Sequence, residues 1–446
     1  MLQYAKNFFC FDPLSMIMIF LVLFMGICVG SFAARYMKGD TQYRIFFFYL
    51  SLLIVAIGVM VTADHIFLFF GGWCLSNLLL VLLMIHKSNW KAAKNSGLLA
   101  AKNYIFGAVC IATALTLLTL ATKETSIKAL IHSYSGAYMV IPALILLLIG
   151  GMTQSAIIPF HRWLISSLNS PTPVSAMMHA GLVNGGGFLI VRFAPLYLEH
   201  PQLLNLMFVM GIVTALIGTF WKLMQNDVKR MLACSTMGQM GFMLAQCGLG
   251  LFPAAVAHLI THGLFKAYLF LATGSAAQEK RCDSDNPPKA RVFSYSLICG
   301  LLGSYSFSIA SGKSWCAGDS TLVLMVIAFL TASQSAIPIL SLRVSFRLPI
   351  AIAVTSAMSL VYGVSISLIT KIMDPMQLTR PQNINGFHIV AIILLVTSWL
   401  TVLFIKNIKN IKFLRSWWIR WYVKTLNASQ PHPKTITTHR NQYRYL

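Results

Sequence analysis

Apolar runs of about 20 residues recur from Phe11 to Phe404, separated by short connections that hold nearly all the charge. A helix needs about that many residues to cross a ~30 Å hydrocarbon core. The chain is therefore expected to be an all-α polytopic membrane protein. Its composition agrees, with 57% hydrophobic and 10% charged residues, against about 25% charged in soluble proteins. That balance excludes a soluble enzyme, a disulfide scaffold and a disordered chain. No Walker loop and no GxGxxG after a strand is present, so ATP and dinucleotides have no visible site, and no cofactor is expected.

A net charge of +23 invites a nucleic-acid reading. The 34 basic residues, however, sit mainly in short loops and in the tail, where membrane topology accounts for them without nucleic acid. The nine cysteines are scattered singly. Cys28, Cys74, Cys110, Cys234, Cys247 and Cys299 fall in apolar segments and read as small buried hydrophobes. The first ten residues hold no signal peptide, and the run from Phe11 has the length of a span without a cleavage site.

Thirteen spans are expected, at 11–34, 44–63, 65–86, 98–121, 138–160, 172–194, 203–221, 230–250, 254–276, 292–311, 321–342, 349–371 and 387–406. Alternate loops carry Arg35, Lys38 and Arg44; Lys87, Lys91 and Lys94; Arg162; Lys222, Lys229 and Arg230; Lys280, Arg281, Lys289 and Arg291; Arg343 and Arg347. The intervening loops near 64, 196 and 251 carry almost none, and those near 123–132 and 371–380 carry two each. The positive-inside rule then places the N-terminus in the periplasm and the tail in the cytoplasm of a bacterial inner-membrane protein. A transmembrane domain is expected over 1–406 and a basic, aromatic tail over 407–446. From Lys406 on the chain holds nine Lys and Arg, with Trp417, Trp418, Trp421 and Tyr422 among them. This tail reads either as a segment lying on anionic membrane lipid or as a surface for an acidic partner.

All eleven carboxylates, Asp12, Asp40, Asp64, Glu124, Glu199, Asp227, Glu279, Asp283, Asp285, Asp319 and Asp374, fall in loops or at span ends. The titratable groups singled out in the apolar segments are His179, His258, His262 and Lys266, with Lys222 and Lys313 at helix breaks. Such groups are costly in a bilayer and are functional candidates for that reason. Histidine titrates near neutral pH, and a chain of such groups is what a proton or cation path requires. His258, His262 and Lys266 follow at i, i+4, i+8 and share one helix face. A zinc reading of the two histidines lacks both a following glutamate and a third ligand, so no metal is expected. The alternative is a set of polar groups bonded into the bundle without transport duty.

Helix interruptions give a second signal. Pro171 and Pro173 cannot continue a helix, Gln154 stands five residues before Pro159, and Ser311-Gly312-Lys313 breaks a later span. The run Asn184-Gly185-Gly186-Gly187 is expected to weaken helix packing. Interrupted spans in two halves point to a transport path.

These residues resemble a known family. Pro159-Phe160-His161-Arg162-Trp163-Leu164, Ser170-Pro171-Thr172-Pro173-Val174-Ser175-Ala176, His179-Ala180-Gly181, Asp227-Val228-Lys229-Arg230, Ser235 through Gly241, and His258-x3-His262-Gly263-Leu264-Phe265-Lys266 are similar to the antiporter-like subunits of NADH–quinone oxidoreductase and of multisubunit cation/proton antiporters. The match is specific from about 140 to 276, looser from 11 to 122 and faint after 292. The resemblance implies two inverted five-helix repeats, here helices 2–6 and 7–11, each with a broken helix, and a hydrophilic axis along the midplane. It also implies a Glu–Lys pair that this chain lacks: the Trp-Glu of the third span looks like Trp73-Cys74, and the lysine before the proline looks like Gln154. The Arg and Asp of the fourth span look like Ile105 and Ala108. The second half keeps its set in His179, His258, His262, Lys266 and Lys313.

His179 through Leu189, Arg192-Phe193-Ala194-Pro195 and Gln246 through Gly250 look like a narrower branch, the membrane subunit of Dab-type inorganic-carbon accumulating complexes. The length fits that branch. The resemblance implies a subunit that passes protons or another cation, catalysis residing in a large soluble partner akin to a zinc β-carbonic anhydrase, and no enzyme activity of its own. The expected path begins near Lys222 or His179, follows His258, His262 and Lys266, and leaves near Lys313. Two other readings stay open: a respiratory or cation/proton antiporter subunit, and a non-conducting anchor that docks a soluble partner.

Overall fold

In a computed structural model of the chain, residues 8–133, 138–274, 287–342, 345–404 and 412–436 are described, without the side chains of 412–417. Glu279, Lys280, Arg281, Asp283, Asp285, Arg343 and Lys406, along with the remainder of the tail, lie outside the described residues. The rest is nearly all helix, with only isolated β-bridges among the described residues. The main helices are α1 (Pro13–Tyr36), α2 (Tyr43–Thr62), α3 (Ile66–Met84), α4 (Lys91–Thr122), α5 (Val140–Gln154), α6 (Thr172–Arg192) and α7 (Pro201–Met224). After them come α8 (Val228–Gly248), α9 (Phe252–Leu271), α10 (Ala290–Ser311), α11 (Thr321–Leu340), α12 (Arg347–Ile372), α13 (Gly386–Leu403) and α14 (Lys412–Ala428).

Eleven of these are long and apolar enough to cross a membrane. The two expected spans that are not among them fail for different reasons. Helix α5 stops after 15 residues, about 22 Å of rise against a ~30 Å core. Helix α8 has the length, with 21 residues, but Lys229, Arg230, Ser235, Thr236, Gln239 and Gln246 dilute its apolar character.

Local chemistry sets the helix ends. Asp12 caps α1, its carboxylate accepting from Ser15 N at 2.8 Å with Pro13 in the first turn. Asn385 and His388 form a reciprocal cap on α13. The interruption expected at Ser311-Gly312-Lys313 is a helix end, because Gly312 adopts φ +65° as the left-handed cap of α10 and α11 begins only at Thr321. Pro171 and Pro173 stand at the start of α6, where a missing N–H costs nothing.

The chain divides into two compact units, Met1–Ala245 with His258–Ala277 and Ser429–Leu446, and Gln246–Ala257 with Gln278–Ala428. The second unit packs Val292 and Cys299 of α10 against Ala336, Ile337 and Leu340 of α11, with Ala351 and Leu403 completing the core. In the first unit α1 to α6 pack in succession. Apolar burial drives little association between helices in lipid, so close backbone contact through small residues carries more of the load. Helices α7 and α8 meet this way: a Cβ on Gly218 would lie 2.5 Å from Gly238 N, and one on Gly241 would lie 2.5 Å from Ala215 N. Gly218→Leu is expected to force the helices apart at about 3 kcal/mol or more, beyond ordinary overpacking because backbone has to move. Gly30→Leu, with nothing within 4 Å, should leave the yield of monodisperse detergent-extracted protein unchanged while Gly218→Leu collapses it.

Residues 429–436 form a strap over the first unit, meeting α4, α8 and the loops at 166–169 and 225. Gln225 Nε2 donates to Ser429 Oγ at 2.8 Å, Arg230 to Gln430 Oε1 at 3.0 Å, and His432 N to Ser166 Oγ at 2.9 Å. Asn169 donates to Thr435 O and Asn95 to Lys434 O, each at 2.8 Å. Nothing in the sequence of the tail announces this strap.

Candidate functional site

The break after α5 is real and well braced. Past Gln154 the chain turns through Ala156 at φ +53°, a cis Ile158–Pro159 bond and a short turn at Arg162–Ile165. Helix ends at depth leave carbonyls without intrahelical partners, and other side chains have to satisfy them. Here the Thr153 carbonyl accepts from Asn103 Nδ2 at 2.9 Å and from Trp163 Nε1 at 3.0 Å.

Gln154 itself, buried, donates to Asn77 Oδ1 at 2.9 Å and to the Leu182 carbonyl at 3.3 Å. Ser155 donates to the next carbonyl, Val183 O, at 2.8 Å. A small cavity of about 10 Å³, lined by residues including Trp73, Ser76, Gln154 and Gly181, adjoins this amide pair. Cys74 is half-buried and lies one turn before Asn77 on α3. The first half thus places an uncharged amide pair at the broken helix.

Helix α6 carries His179 in a π-turn, Met178–Leu182, closed by Val183 N to Met178 O at 3.0 Å. Such turns are rare and cluster at functional sites. Asn184 stabilises the turn, donating to Ala180 O at 2.9 Å and Leu259 O at 3.4 Å. The glycine run does not weaken packing here. A Cβ on Gly186 would meet Gly151 O at 2.2 Å, and one on Gly187 would meet Leu259 Cδ1 at 2.9 Å. The glycines let α6 press its backbone against α5 on one side and its other face against α9.

On α9, His258, His262 and Lys266 are 7%, 5% and 1% exposed, so all three are inside the protein and away from lipid. The two imidazoles lie nearly parallel, 18° apart with centroids 6.0 Å apart, and Phe242 meets His258 edge-on at 5.0 Å. Lys266 Nζ donates to Leu232 O of α8 at 3.0 Å. His179 Nδ1 lies 3.0 Å from Thr236 Oγ1, and its ring stacks on Phe270 at 4.4 Å. Among the described residues neither ring nitrogen of His262 nor Nε2 of His258 has a hydrogen-bond partner. Buried polar atoms of this kind are uncommon and costly, and a group that exchanges protons is one reason to keep them.

Of the six residues expected on the path, the structure gathers His179, His258, His262 and Lys266. Lys222 is exposed in the last turn of α7, close enough for its charge to act on Lys266. Lys313 belongs to the second unit, in the loop after α10, where burial lowers its pKa from the usual lysine value and Asp319 opposes that shift. Among the described residues no three His, Cys, Asp or Glu side chains gather, so the donors of a metal site do not come together in them.

Two site features escaped the sequence. Thr236 links His179 to α8 and reads in sequence as an ordinary helical threonine. Arg192 forms an ion pair with Asp12, 180 residues away, and also donates to Ser15 Oγ at 2.7 Å and Val61 O at 2.9 Å. The isolated position of Arg192 in an apolar run was the available signal.

The family described as “NADH:quinone oxidoreductase/Mrp antiporter, TM” matches residues 63–370. The chain belongs to this family. The N-terminal segment described as “NADH-Ubiquinone oxidoreductase (complex I), chain 5 N-terminus” matches residues 7–47. Like other members of the antiporter family, the chain is a multi-pass membrane protein. It is 37% identical over 278 residues to “Probable inorganic carbon transporter subunit DabB1” of Halothiobacillus neapolitanus, covering 60% of this chain and 50% of that protein. It is 37% identical over 272 residues to the DabB subunit of Bacillus anthracis, covering 60% and 53%. It is also 38% identical over 273 residues to NADH-quinone oxidoreductase subunit L of Escherichia coli, covering 59% and 44%. The chain spans about half the length of the curated relatives it matches. The Mrp complex of Dietzia sp. shares the antiporter fold, with a TM-score of 0.57 at 21% identity, over 94% of this chain and 45% of that one.

Proposed function

We propose that the chain is a bacterial inner-membrane subunit that conducts protons, or another cation, and energises inorganic-carbon uptake by a soluble carbonic-anhydrase-like partner. The observation that carries this reading is the contrast between the halves. His179, His258, His262 and Lys266 are buried together around α9, while the break after α5 holds the neutral Gln154–Asn77 pair. One conducting half suits a subunit that delivers charge to a partner, and the similarity to DabB subunits supports carbon as the cargo.

In this mechanism a proton is taken up near Lys222 or His179 and passes among Lys266, His262 and His258. Lys313 is a further candidate carrier. The N-terminus faces the periplasm and the tail the cytoplasm. A change of one pKa unit corresponds to about 1.4 kcal/mol, which one charge gains across roughly 60 mV at ~2.3 kcal/mol per 100 mV. A charge carried across the whole membrane thus gains an energy comparable to a pKa change of one unit, enough to bias a bound partner.

The test is growth rescue. The chain is produced with and without a soluble carbonic-anhydrase-like protein from the same organism, in a carbonic-anhydrase-deficient bacterium kept in air. Rescue by the pair alone, lost with an uncoupler, supports the proposal. With both proteins shown to be in the membrane, absence of rescue returns first place to the respiratory or cation/proton antiporter reading, which the similarity to subunit L favours.

A further inference from the structure

Thr236 stands between the two strongest groups of the buried cluster and has no role in the reading above. Its hydroxyl, fully buried, donates to the Leu232 carbonyl one turn back at 3.0 Å. Helical threonines often bond back in this way, and that bond alone is unremarkable. Two further contacts set it apart. Lys266 Nζ donates to the same Leu232 carbonyl at 3.0 Å, and His179 Nδ1 lies 3.0 Å from Thr236 Oγ1. An unbroken string thus runs from His179 through Thr236 and the Leu232 carbonyl to Lys266, across α6, α8 and α9.

The back-bond to Leu232 O, taken as the hydroxyl's donor bond, gives the string a direction. A threonine hydroxyl has one proton to give and lone pairs to accept with. With that proton directed at Leu232 O, the contact to His179 requires the imidazole to donate. Neutral His179 is then protonated on Nδ1, which leaves the lone pair on Nε2. Phe270, stacked on the ring at 4.4 Å and 19°, holds the plane in which Nε2 is presented. The charged or titratable groups acting on this imidazole are Lys266 and His262 on α9 and Lys229 on α8.

We propose that Thr236 is a positioning residue: it fixes His179 in the Nδ1–H form, so that Nε2 is the atom that receives and releases the proton, and it ties this choice to Lys266 through the shared Leu232 carbonyl. This inference deepens the proposed proton path and rests on it for its functional meaning. Its structural content stands separately.

The experiment uses the full chain in lipid vesicles with ¹⁵N-labelled histidine, the His179 signals being assigned by difference from His179→Gln. Solid-state ¹⁵N spectra at a pH where the ring is neutral should give the Nδ1–H tautomer in the wild-type chain. Thr236→Val, which keeps the shape and removes the hydroxyl, should lose that preference, and Thr236→Ser should restore it. Proton flux into the same vesicles under an imposed potential should fall roughly tenfold in Thr236→Val, the effect of losing about one hydrogen bond, with its pH profile displaced and recovered by Thr236→Ser. An Nε2–H tautomer in the wild-type chain overturns the inference without any variant having to fold. A Thr236→Val chain with unchanged spectrum and flux profile overturns it as well. A wild-type chain with the expected tautomer and no flux, alone or with its soluble partner, leaves Thr236 as assigned and removes the proton-path reading instead.

Discussion

Lys266→Ala is expected to lower proton flux and carbon-dependent growth by about a hundredfold or more, in the range associated with removal of a proton-transfer group. Lys266 is 1% exposed, and its Nζ donates to Leu232 O at 3.0 Å. Lys266→Arg is the more informative variant. Arginine keeps the positive charge and can still reach a carbonyl, but it does not release its proton at any pH a protein meets. A proton carrier should fail with arginine as with alanine, whereas a fixed structural charge should survive the exchange. Flux in vesicles and growth of the carbonic-anhydrase-deficient host report the same ranking if flux drives uptake. Normal carbon uptake in Lys266→Ala would sink the proposed path.

Arg192→Leu is expected to be the most destabilising single substitution among the polar contacts, by about 3–5 kcal/mol, because removing one member of a buried ion pair strands the other. Arg192 is 6% exposed, and the Asp12 side chain it pairs with is only 19% exposed. Its guanidinium also lies over Phe188, 5.3 Å from the ring centre, while bonding Ser15 and Val61 O. One side chain thus fastens the start of α1 and the end of α2 to α6. Unfolding in mixed detergent should show the loss, and Asp12→Asn in the Arg192→Leu background should recover part of it. A loss under 1 kcal/mol would mean that the pair is dispensable.

The helices were legible because a bilayer imposes length and apolarity together, and nearly every expected span has a helix within a few residues of it. Helix α5 was misjudged in length since its apolar pattern runs on toward Pro159, past the turn at Ser155 and Ala156. The stacking of His258, His262 and Lys266 could be read directly, as helical spacing fixes a shared face. The link to His179 could not, because it depends on how α6 and α9 pack around α8, and Thr236 differs in no local respect from other helical threonines. The glycine run at 185–187 was misread for a related reason: low helix propensity is the local property, and close approach to Gly151 and Leu259 is the property the packed structure uses.

The strap over 429–436 has a consequence for how the protein comes into being. Asn95 and its bond acceptor Lys434 are separated by 339 residues, and at about 5–20 residues per second that interval is roughly 20–70 s of synthesis. Until residues 432–435 are made, Asn95 of α4 and, once they are synthesised, Ser166 and Asn169 lack these partners. The bonds by which 429–436 close over the first unit therefore form late, after α1 to α13 have been made.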